Sequence, residues 1–505
     1  MATLNFDANK VAPTVDKPDM ISSVKVWSEY QQALFDWCLH GVGNAVLEAV
    51  AGSGKSTTIV EAVKRVLGTT LFIAFNKAIV EELKSRGVNA RTWHSLVYIL
   101  VLKYRKQSTH DMNKKRKIAD LVMNGNDREV YGSFAIRLVG LALQIGVGCL
   151  VADTEQVWID LAAHHDIEPD SEYADFGRGI ELARKLFDAC YASPLVDFDD
   201  MLYIAVRDGL TMPKFDWVFI DEAQDTNAIQ RALLRKMLKP TTRIVAVGDP
   251  AQAIYGFRGA DSESLNLIAS EFNCTKLPLS ITYRCPKSVV SYAQNWVSHI
   301  QAAPNAAEGE VQSLGMKWKH DVFQPNDLVV CRTSKPVIAL AYKLLRARVA
   351  VRVQGKEMGQ GLKNLINKMK AYTLDQLEMK LGAYCIKEVE KATAKMEDAK
   401  AEAIQDKVAC IMCLLEGLDE GSSIRDLMNV IDMLFDDKKQ NAVVLSTIHR
   451  AKGLEANTVF WLNSSQCPAR WARQGWQMQQ ENNLCYVAVT RAKQKLVLIE
   501  EPKEG

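Results

Sequence analysis

The sequence has 505 residues, of which 48% are hydrophobic and 24% are charged, and its formal net charge at pH 7 is +2. That length is too great for one hydrophobic core and predicts three or four compact units. No apolar run is long enough to cross a bilayer, and residues 1–17 lack the features of a signal peptide, so we expect a cytoplasmic protein with no membrane partner. The small net charge is weak support for a nucleic-acid partner but does not exclude a local basic groove.

The amino-terminal part contains a phosphate-binding pattern. Residues 1–22 are polar, include prolines and show no periodicity, which predicts a loose arm. A helical pattern and an apolar strand at residues 44–48 follow, and the loop Ala-Val-Ala-Gly-Ser-Gly-Lys-Ser at 49–56 then leads into a helix. Its glycines allow backbone N–H groups to surround phosphates, Lys55 would reach the β and γ oxygens, and Ser56 would bind Mg²⁺.

Two further apolar runs end in polar groups. Residues 217–220 form a short run rich in aromatic and β-branched side chains that ends at Asp221 and Glu222. Residues 243–247 form a second run, which leads to Gln252. A parallel sheet binds ligands at the carboxyl ends of its strands. An Asp–Glu pair is usually an ordinary strand end, and the upstream phosphate loop is what favours a catalytic role. Glycines then alternate with side chains suited to touching a base, namely Tyr255, Phe257 and Arg258.

The rest of the chain alternates between helical and strand-like stretches. Residues 96–190 show no strand pattern and contain basic clusters at 103–106 and 114–117, for which a solvated helix face and contact with a nucleic-acid strand both remain open. Residues 357–439 are helical and rich in charge. Further strand-like runs lie at 70–74, 328–331, 349–353, 442–445 and 495–499.

Several motifs together resemble one family. Asp-Glu-Ala-Gln-Asp at 221–225 and Gly-Asp-Pro-Ala-Gln-Ala-Ile-Tyr-Gly-Phe-Arg-Gly-Ala at 248–260 closely resemble motifs II and III of superfamily 1A DNA helicases of the UvrD/Rep/PcrA type. Residues 446–455 resemble motif V of that family, and residues 481–493 resemble motif VI. The resemblance extends over about residues 28–499, and it implies an α/β fold of two tandem RecA-like P-loop domains, each with a helical insertion.

The resemblance also implies the domain boundaries. In chain order the expected units are 1A (first part, 1–95), insertion 1B (96–190), 1A (second part, 191–279), 2A (first part, 280–356), a short insertion 2B (357–439) and 2A (second part, 440–505). The 2B insertion is far shorter than in better-known members, so its role here stays open. Little sequence follows motif VI, which predicts that there is no fused nuclease domain.

In such a family the cleft between the two domains binds ATP and Mg²⁺. The resemblance implies that Asp221 and Ser56 hold Mg²⁺, that Glu222 is the general base, and that two arginines act as fingers on the γ-phosphate. The expected catalytic residues are Lys55, Asp221, Glu222, Gln252, Arg284 and Arg491. The expected cofactor-binding residues are Gln31, Ala51, Gly52, Ser53, Gly54, Lys55, Ser56, Thr57, Tyr283 and Glu455.

One position departs from the family at the adenine end of this site. Thr57 stands where the family usually has an arginine that stacks on adenine. Adenine selectivity would then depend on Gln31, in the position of the Q motif, and on Tyr283.

The resemblance implies that single-stranded DNA, or a junction between single and double strands, crosses the top of both domains. The expected DNA-binding residues are Asn76, Thr92, His94, Tyr255, Phe257, Arg258, Thr447 and His449. For His94 the alternative is a histidine at a helix amino end that bonds to backbone.

The function that the resemblance implies is an ATP-dependent DNA helicase, moving 3′ to 5′, in repair, recombination or replication. It would act at the nucleoid, or in the host cytoplasm if phage-encoded. A translocase that displaces proteins without unwinding duplex, and a nucleotide switch without motor activity, are the alternatives. A loading or repair protein that acts as partner is not identified by the sequence.

Overall fold

The computed structural model describes residues 26–106, 108–165, 167, 169, 174–254, 263–394, 398–436 and 439–501. Its strands are β1 (Asn44–Ala49), β2 (Thr70–Ile73), β3 (Ala90–Arg91), β4 (Thr109–His110), β5 (Leu195–Val196), β6 (Phe215–Ile220), β7 (Leu238–Gly248), β8 (Cys274–Leu279), β9 (Ile281–Thr282), β10 (Gln301–Ala302), β11 (Glu310–Gly315), β12 (Leu328–Cys331), β13 (Val351–Val353), β14 (Val443–Thr447), β15 (Ala456–Leu462) and β16 (Ala492–Ile499). Its helices are α1 (Glu29–His40), α2 (Lys55–Arg65), α3 (Lys77–Ser85), α4 (Trp93–Tyr104), α5 (Lys114–Val122), α6 (Gly125–Ile145), α7 (Glu155–His164), α8 (Phe176–Ala192), α9 (Phe198–Arg207), α10 (Ala228–Lys236), α11 (Ser264–Glu271), α12 (Lys287–Ala293), α13 (Ser334–Arg346), α14 (Lys356–Met369), α15 (Leu374–Ala394), α16 (Asp398–Glu416), α17 (Ile424–Leu434), α18 (Ile448–Ala451) and α19 (Gly475–Val489).

The first sheet is parallel and has the strand order β3-β2-β6-β7-β1-β8. Strands β6 and β1 are buried over most of their length, and β7 is buried over its last five residues, as expected for strands covered by helices on both faces. Because these strands are neighbours and run in the same direction, their carboxyl ends lie side by side. The phosphate loop, Asp221 and Gly248 therefore meet at one edge of the sheet.

The second sheet is also parallel and has the order β11-β16-β15-β12-β14-β13. Here β12 and β14 are neighbours, with Cys331 paired to Thr447 at their carboxyl ends. The segments that follow these two strands therefore start from the same edge. Two parallel sheets of this kind confirm the predicted α/β fold of two tandem RecA-like domains.

Both helical stretches share a core with the sheet beside them. Phe134, Leu138 and Phe187, from helices α6 and α8, belong to the same buried cluster as Val218 and Ile220 of strand β6. Buried residues of α14 to α17 join the cluster that covers one face of the second sheet, among them Leu362, Leu377, Ile411 and Ile431. Neither stretch is therefore an independent globule attached by linkers.

Some strands were not predicted from the sequence. Strand β8 contains Pro278 and lysine and is largely exposed, and β11 is likewise half exposed, because both lie at sheet edges. Strand β15 does carry a continuous apolar run, which lies immediately after the motif V segment. In the stretch predicted to lack strands, the structure has the two-residue strand β4, and the predicted strand at 349–353 is only Val351–Val353.

Two of the four residues in the basic cluster at 114–117 turn inward, whereas Arg116 and Lys117 are exposed. Lys114 is fully buried, and its Nζ lies 2.7 Å from Asp200 Oδ2. Lys115 Nζ lies 2.6 Å from Asp197 and 2.8 Å from Asp199. These pairs neutralise both lysines and join α5 to the start of α9. The two lysines hold the fold together and are not presented to a nucleic-acid strand.

Candidate active site and nucleic-acid interface

The phosphate loop has the backbone shape that glycine allows. Gly52 and Gly54 have φ values of +70° and +78°, in the left-handed region. A Cβ at Gly52 would lie 2.5 Å from Arg284 Cβ and 2.7 Å from Thr282 Oγ1, so a larger residue does not fit there. Ser53 Oγ is buried and has no hydrogen-bond partner among the described residues. Helix α2 then begins at Lys55, so its amino end faces the loop.

Two carboxylates at the end of β6 contact the loop. Ser56 Oγ donates to Asp221 Oδ2 over 3.1 Å, and Lys55 Nζ lies 3.3 Å from Glu222 Oε1. Glu222 has φ +50°, a conformation that costs energy for a residue other than glycine and is common at functional sites. Gln224 Nε2 donates to the second oxygen of Glu222, which fixes the carboxylate in this position.

The two carboxylates have pKa values displaced in opposite directions. Burial and the adjacent charge of Glu222 raise the pKa of Asp221 to about 6. Burial also acts to raise the pKa of Glu222, but the positive charges of Lys55 and Lys452 outweigh it and lower that pKa to about 2. Glu222 therefore loses its proton at a much lower pH than Asp221 does.

The second domain places two arginines against this edge. Arg491 is buried, and its Nη2 donates to Gln252 Oε1 over 3.4 Å. Burial and the nearby Arg284 lower the pKa of Arg491 to about 10. Arg284 Nε donates to Glu455 Oε2 over 2.7 Å. The structure thus brings the phosphate loop, both carboxylates, Gln252 and both predicted fingers into one cleft.

The predicted adenine-binding residues meet at the end of the cleft near α1. Gln31 Nε2 donates to Thr58 Oγ1 over 2.7 Å, and Tyr283 OH donates to Gln31 Oε1 over 3.4 Å. The ring of Tyr283 is half exposed. Thr57 lies in the first turn of α2, half-buried, with no planar group to offer a base.

Three predicted DNA-binding residues lie where helices begin after β2 and β3. Asn76 caps α3 by accepting from Ile79 N over 3.0 Å, and Thr92 caps α4. His94, in the first turn of α4, packs edge-on against Phe198 with ring centroids 4.9 Å apart, and burial lowers its pKa. The helix-end position proposed as the alternative for His94 is the observed one, but its ring contacts an aromatic side chain.

Two more predicted DNA-binding residues line a cavity between the second domain and the helical stretch of the first, from which Arg137 and His165 also border it. Thr447 is the residue before α18, and His449 lies within this helix. Both border a cavity of about 530 Å³, together with Arg332 from the end of β12 and Trp471 and Trp476 from the segment before and within α19. Predicted residues Tyr255, Phe257 and Arg258 lie outside the described residues.

Comparison with known families matches both halves of the chain. The family described as UvrD/REP helicase N-terminal domain matches residues 154–273, and the UvrD-like helicase C-terminal domain matches residues 348–502. Together the two matches cover more than half of the sequence. The chain belongs to the UvrD-like helicases of superfamily 1A.

Individual relatives of this UvrD-like chain come from yeast and bacteria. F-box DNA helicase protein 1 of Schizosaccharomyces pombe is 26% identical over 507 residues, which cover 90% of this chain and 55% of that protein. Gabija protein GajB of Bacillus cereus is 25% identical over 383 residues, covering 66% of this chain and 75% of GajB. DNA helicase II of Escherichia coli is 34% identical over 115 residues, 21% of this chain and 16% of that helicase. The UvrD-like chain thus spans about half the length of the S. pombe relative.

Sequence reasoning gave no role to several residues that build the cleft of this UvrD-like protein. Tyr486 OH accepts from Ala51 N over 2.9 Å, and Asn483 Nδ2 donates to the carbonyls of Pro250 and Ala253, so α19 is bound to the first domain at two places. Lys452 also crosses the cleft. Both α19 residues and Lys452 lie inside segments matched to motifs, but periodicity does not reveal which side chains cross between domains.

Within the described ranges of this UvrD-like chain, no helix has both the length and the apolar character that a membrane span requires.

Proposed function

We propose that this UvrD-like chain is an ATP-dependent DNA helicase that moves 3′ to 5′ on single-stranded DNA and couples ATP hydrolysis to duplex unwinding, in repair, recombination or replication. The observation that carries this proposal is the contact between Gln252 and Arg491, because it joins a candidate γ-phosphate sensor of one sheet to a candidate arginine finger of the other. Because both domains form the cleft, a change at the γ-phosphate alters the position of one domain relative to the other. The distance between their contacts with single-stranded DNA then changes as well.

The phosphate loop and its neighbours fit ATP with Mg²⁺. The buried, unpartnered Ser53 hydroxyl and the amino end of α2 supply donors for phosphate oxygens. Ser56 and Asp221 present a hydroxyl and a carboxylate oxygen 3.1 Å apart, which are the hard oxygen ligands that Mg²⁺ prefers, so these two residues would hold the ion. Mg²⁺ bound there supplies charge neutralisation on the phosphates.

Lys55 and Glu222 would change partners when ATP binds. In the structure Lys55 pairs with Glu222. A lysine in this position of a phosphate loop serves the β and γ oxygens, so nucleotide would draw its charge away from Glu222. The pKa of Glu222 then rises from its low value, and the carboxylate becomes a stronger base for the attacking water.

Arg284 and Arg491 would neutralise charge as the phosphoryl group leaves. Both are held by acceptors on the protein, Arg284 by Glu455 and Arg491 by Gln252, so each is oriented before nucleotide arrives. Glu455, which is also paired with Lys493, would exchange part of this interaction for the ribose.

Single-stranded DNA, including the strand at a duplex junction, would cross both domains. Bases stack on aromatic rings with about 1 to 3 kcal/mol each and without sequence preference, which suits a motor. The ring of Phe198 is 44% exposed beside His94, and it extends the predicted set on the first domain. The cavity at Thr447 and His449, between the second domain and the helical stretch of the first, offers a continuation. We assign the binding of single-stranded DNA to Asn76, Thr92, His94, Tyr255, Phe257, Arg258, Thr447 and His449.

A second candidate function is a translocase that removes proteins from single strands without processive unwinding. The core that α14 to α17 share with the second sheet favours it, because an insertion built into 2A does not form a separate unit to hold duplex. Both candidates use the same ATP cycle and differ in what the strand movement displaces.

The test is a strand-displacement assay on duplexes with a 3′ or a 5′ single-stranded tail, run beside DNA-stimulated ATP turnover. We expect unwinding of the 3′-tailed substrate. Turnover without unwinding, combined with removal of a protein bound to the single strand, would support the translocase. Absence of any DNA-dependent turnover would contradict both.

A variant pair separates the ATP site from the DNA face. Lys55→Ala should abolish turnover and leave single-strand binding largely intact, because this lysine serves phosphate. Lys64→Ala, on the exposed side of the same helix α2, is the matched control and should retain both. Equal loss of turnover and strand binding in a folded Lys55→Ala protein would contradict separate sites.

A further inference from the structure

Helix α19 of the second domain contacts the first domain at two separate places. Near its carboxyl end, the Tyr486 hydroxyl accepts from Ala51 N of the phosphate loop. Near its amino end, Trp476 contacts the carboxyl end of α7, which belongs to the helical stretch of the first domain. Trp476 and Tyr486 are ten residues apart, so the two contacts are separated by about 15 Å along the helix.

The contact at the amino end of α19 is made by three rings. The rings of His164 and Trp476 are stacked, with centroids 5.6 Å apart and planes inclined at 27°. The ring of His165 meets the same indole edge-on at 6.4 Å and lies 4.8 Å from that of His164. His164, His165 and Trp476 form a ring clasp between the two domains. Contacts between a few rings stabilise only weakly, so this clasp is able to open.

The cavity of about 530 Å³ lies between the ring clasp and the phosphate-loop contact. Thr447 and His449, which we assign to single-stranded DNA, border it from the second domain. Four further lining residues belong to α19, and all of them fall between Trp476 and Tyr486 in the sequence. They are Gln477, Gln480, Glu481 and Leu484. Contacts between the two domains therefore flank the cavity on both sides.

His165 supplies an independent indication that this cavity takes a ligand. Its side chain borders the cavity and is 9% exposed, and its Nδ1 has no hydrogen-bond partner among the described residues. Burial lowers the pKa of His165 to about 4, so the imidazole is neutral at pH 7. Most buried polar atoms do have a partner. A base or sugar of a strand in the cavity would supply one.

We propose that the ring clasp closes the path of the strand, so that single-stranded DNA is held by enclosure as well as by contacts. The inference rests on the proposed function, since it requires a DNA strand in the cavity at Thr447 and His449. While the clasp is closed, a linear strand leaves by sliding until its end passes through. A circular strand has no end and leaves only when the clasp opens.

The test compares release from circular oligo(dT) with release from the same molecule cut once. Protein bound to each form is transferred to raised salt, which weakens contacts with phosphates and leaves an enclosing ring closed. We expect the half-life on the circular strand to be at least about tenfold longer than on the cut strand, because loss of the phosphate contacts is sufficient for release only where the strand has an end.

Two variants open the clasp, and one variant is the matched control. His164→Ala and Trp476→Ala each remove one of the two stacked rings, and each should bring the two half-lives within about twofold of one another. The control is His320→Ala. His320 is also exposed and also contacts a tryptophan, Trp318 at 6.5 Å, but this contact lies wholly within the second domain. The control should keep the full difference between circular and cut strands.

The ratio of the two half-lives is the decisive quantity, because a general weakening of strand binding shortens both half-lives and cancels from it. Equal half-lives in the parent, an undiminished ratio in both clasp variants, or an equal loss of the ratio in His320→Ala would each overturn the inference. A parent whose ATP turnover responds to neither strand would overturn the proposed function, and this inference with it. A parent with strand-stimulated turnover and equal half-lives would overturn the inference alone.

Discussion

The hydrogen bond between the Tyr486 hydroxyl and Ala51 N offers a precise test of how the cleft closes. Tyr486 belongs to α19 of the second domain and Ala51 to the phosphate loop of the first, and both are fully buried. Tyr486→Phe removes one oxygen and keeps the ring, so packing in the cluster that spans the cleft is preserved. The change leaves the Ala51 N–H without its acceptor wherever the two domains are in contact.

The size of the effect follows from that unsatisfied donor. A buried donor that loses its partner costs about 1 to 3 kcal/mol, whereas an N–H exposed to water in an open cleft costs little. The penalty therefore falls on the closed arrangement and shifts the equilibrium toward the open one about 5- to 150-fold. In the proposed mechanism hydrolysis requires both arginines at the phosphate, so kcat/KM for ATP should fall by a factor in this range.

The matched control is Tyr203→Phe. Tyr203 is equally buried, and its hydroxyl donates to Val147 O, but this bond lies within the first domain and its helical insertion. Tyr203→Phe should lower the Tm and leave kcat/KM for ATP nearly unchanged. Tyr486→Phe should lower kcat/KM for ATP and leave the Tm nearly unchanged. Equal Tm losses in the two variants, with kcat/KM of Tyr486→Phe within twofold of the parent, would refute the assignment of this bond to domain closure.

Three further predictions concern single residues. Glu222→Gln should bind ATP normally and hydrolyse it about 10²- to 10⁴-fold more slowly, since an amide does not accept the proton; near-normal turnover in a single-turnover assay would place the base elsewhere. Thr57→Arg should improve the KM for ATP relative to GTP about 2- to 30-fold by adding a stacking face, and an unchanged ratio would show that adenine is held another way. Hydrogen bonds from Lys239 and Thr69 lower the pKa of Asp216, so its contribution to stability is present above the unfolded pKa of about 4 and is lost as the pH falls below it. The Tm difference between the parent and Asp216→Asn should therefore shrink on acidification below pH 4, and a constant difference would contradict that linkage.

Most inner strands of both sheets could be predicted because they contain apolar runs that end in polar segments, although β15 was missed despite its apolar run. Strands β1, β6 and β7 of the first sheet are of this kind, and the structure places them side by side. Edge strands such as β8 carry no such pattern, because one side of them faces water. An apolar run in the sequence indicates a strand that is buried on both faces. This signal is weak for an edge strand, which is only partly buried.

The site shows a similar division. Four residues of the site follow strands of one sheet, namely Lys55, Ser56, Asp221 and Glu222. The positions of these strand ends in the sequence are therefore enough to predict that the four residues lie together. Lys452 and Tyr486 reach the same cleft from the other domain, and their contacts depend on how the two sheets are docked. The inward position of Lys114 and Lys115 was not predicted for the same reason, since their partners are more than 80 residues away in sequence.

The shared core of α14 to α17 and the second sheet has a practical consequence for experiments on modular function. Removing residues 374–434 would take away Leu377, Ile411 and Ile431 and leave Val351 and Leu445 uncovered on the remaining sheet. Such a deletion would expose apolar surface and promote aggregation, so its loss of activity would say nothing about the role of the insertion. Replacing exposed side chains on the same helices, such as Met379 and Ile386, leaves the hydrophobic interior intact and is the sounder route to that question.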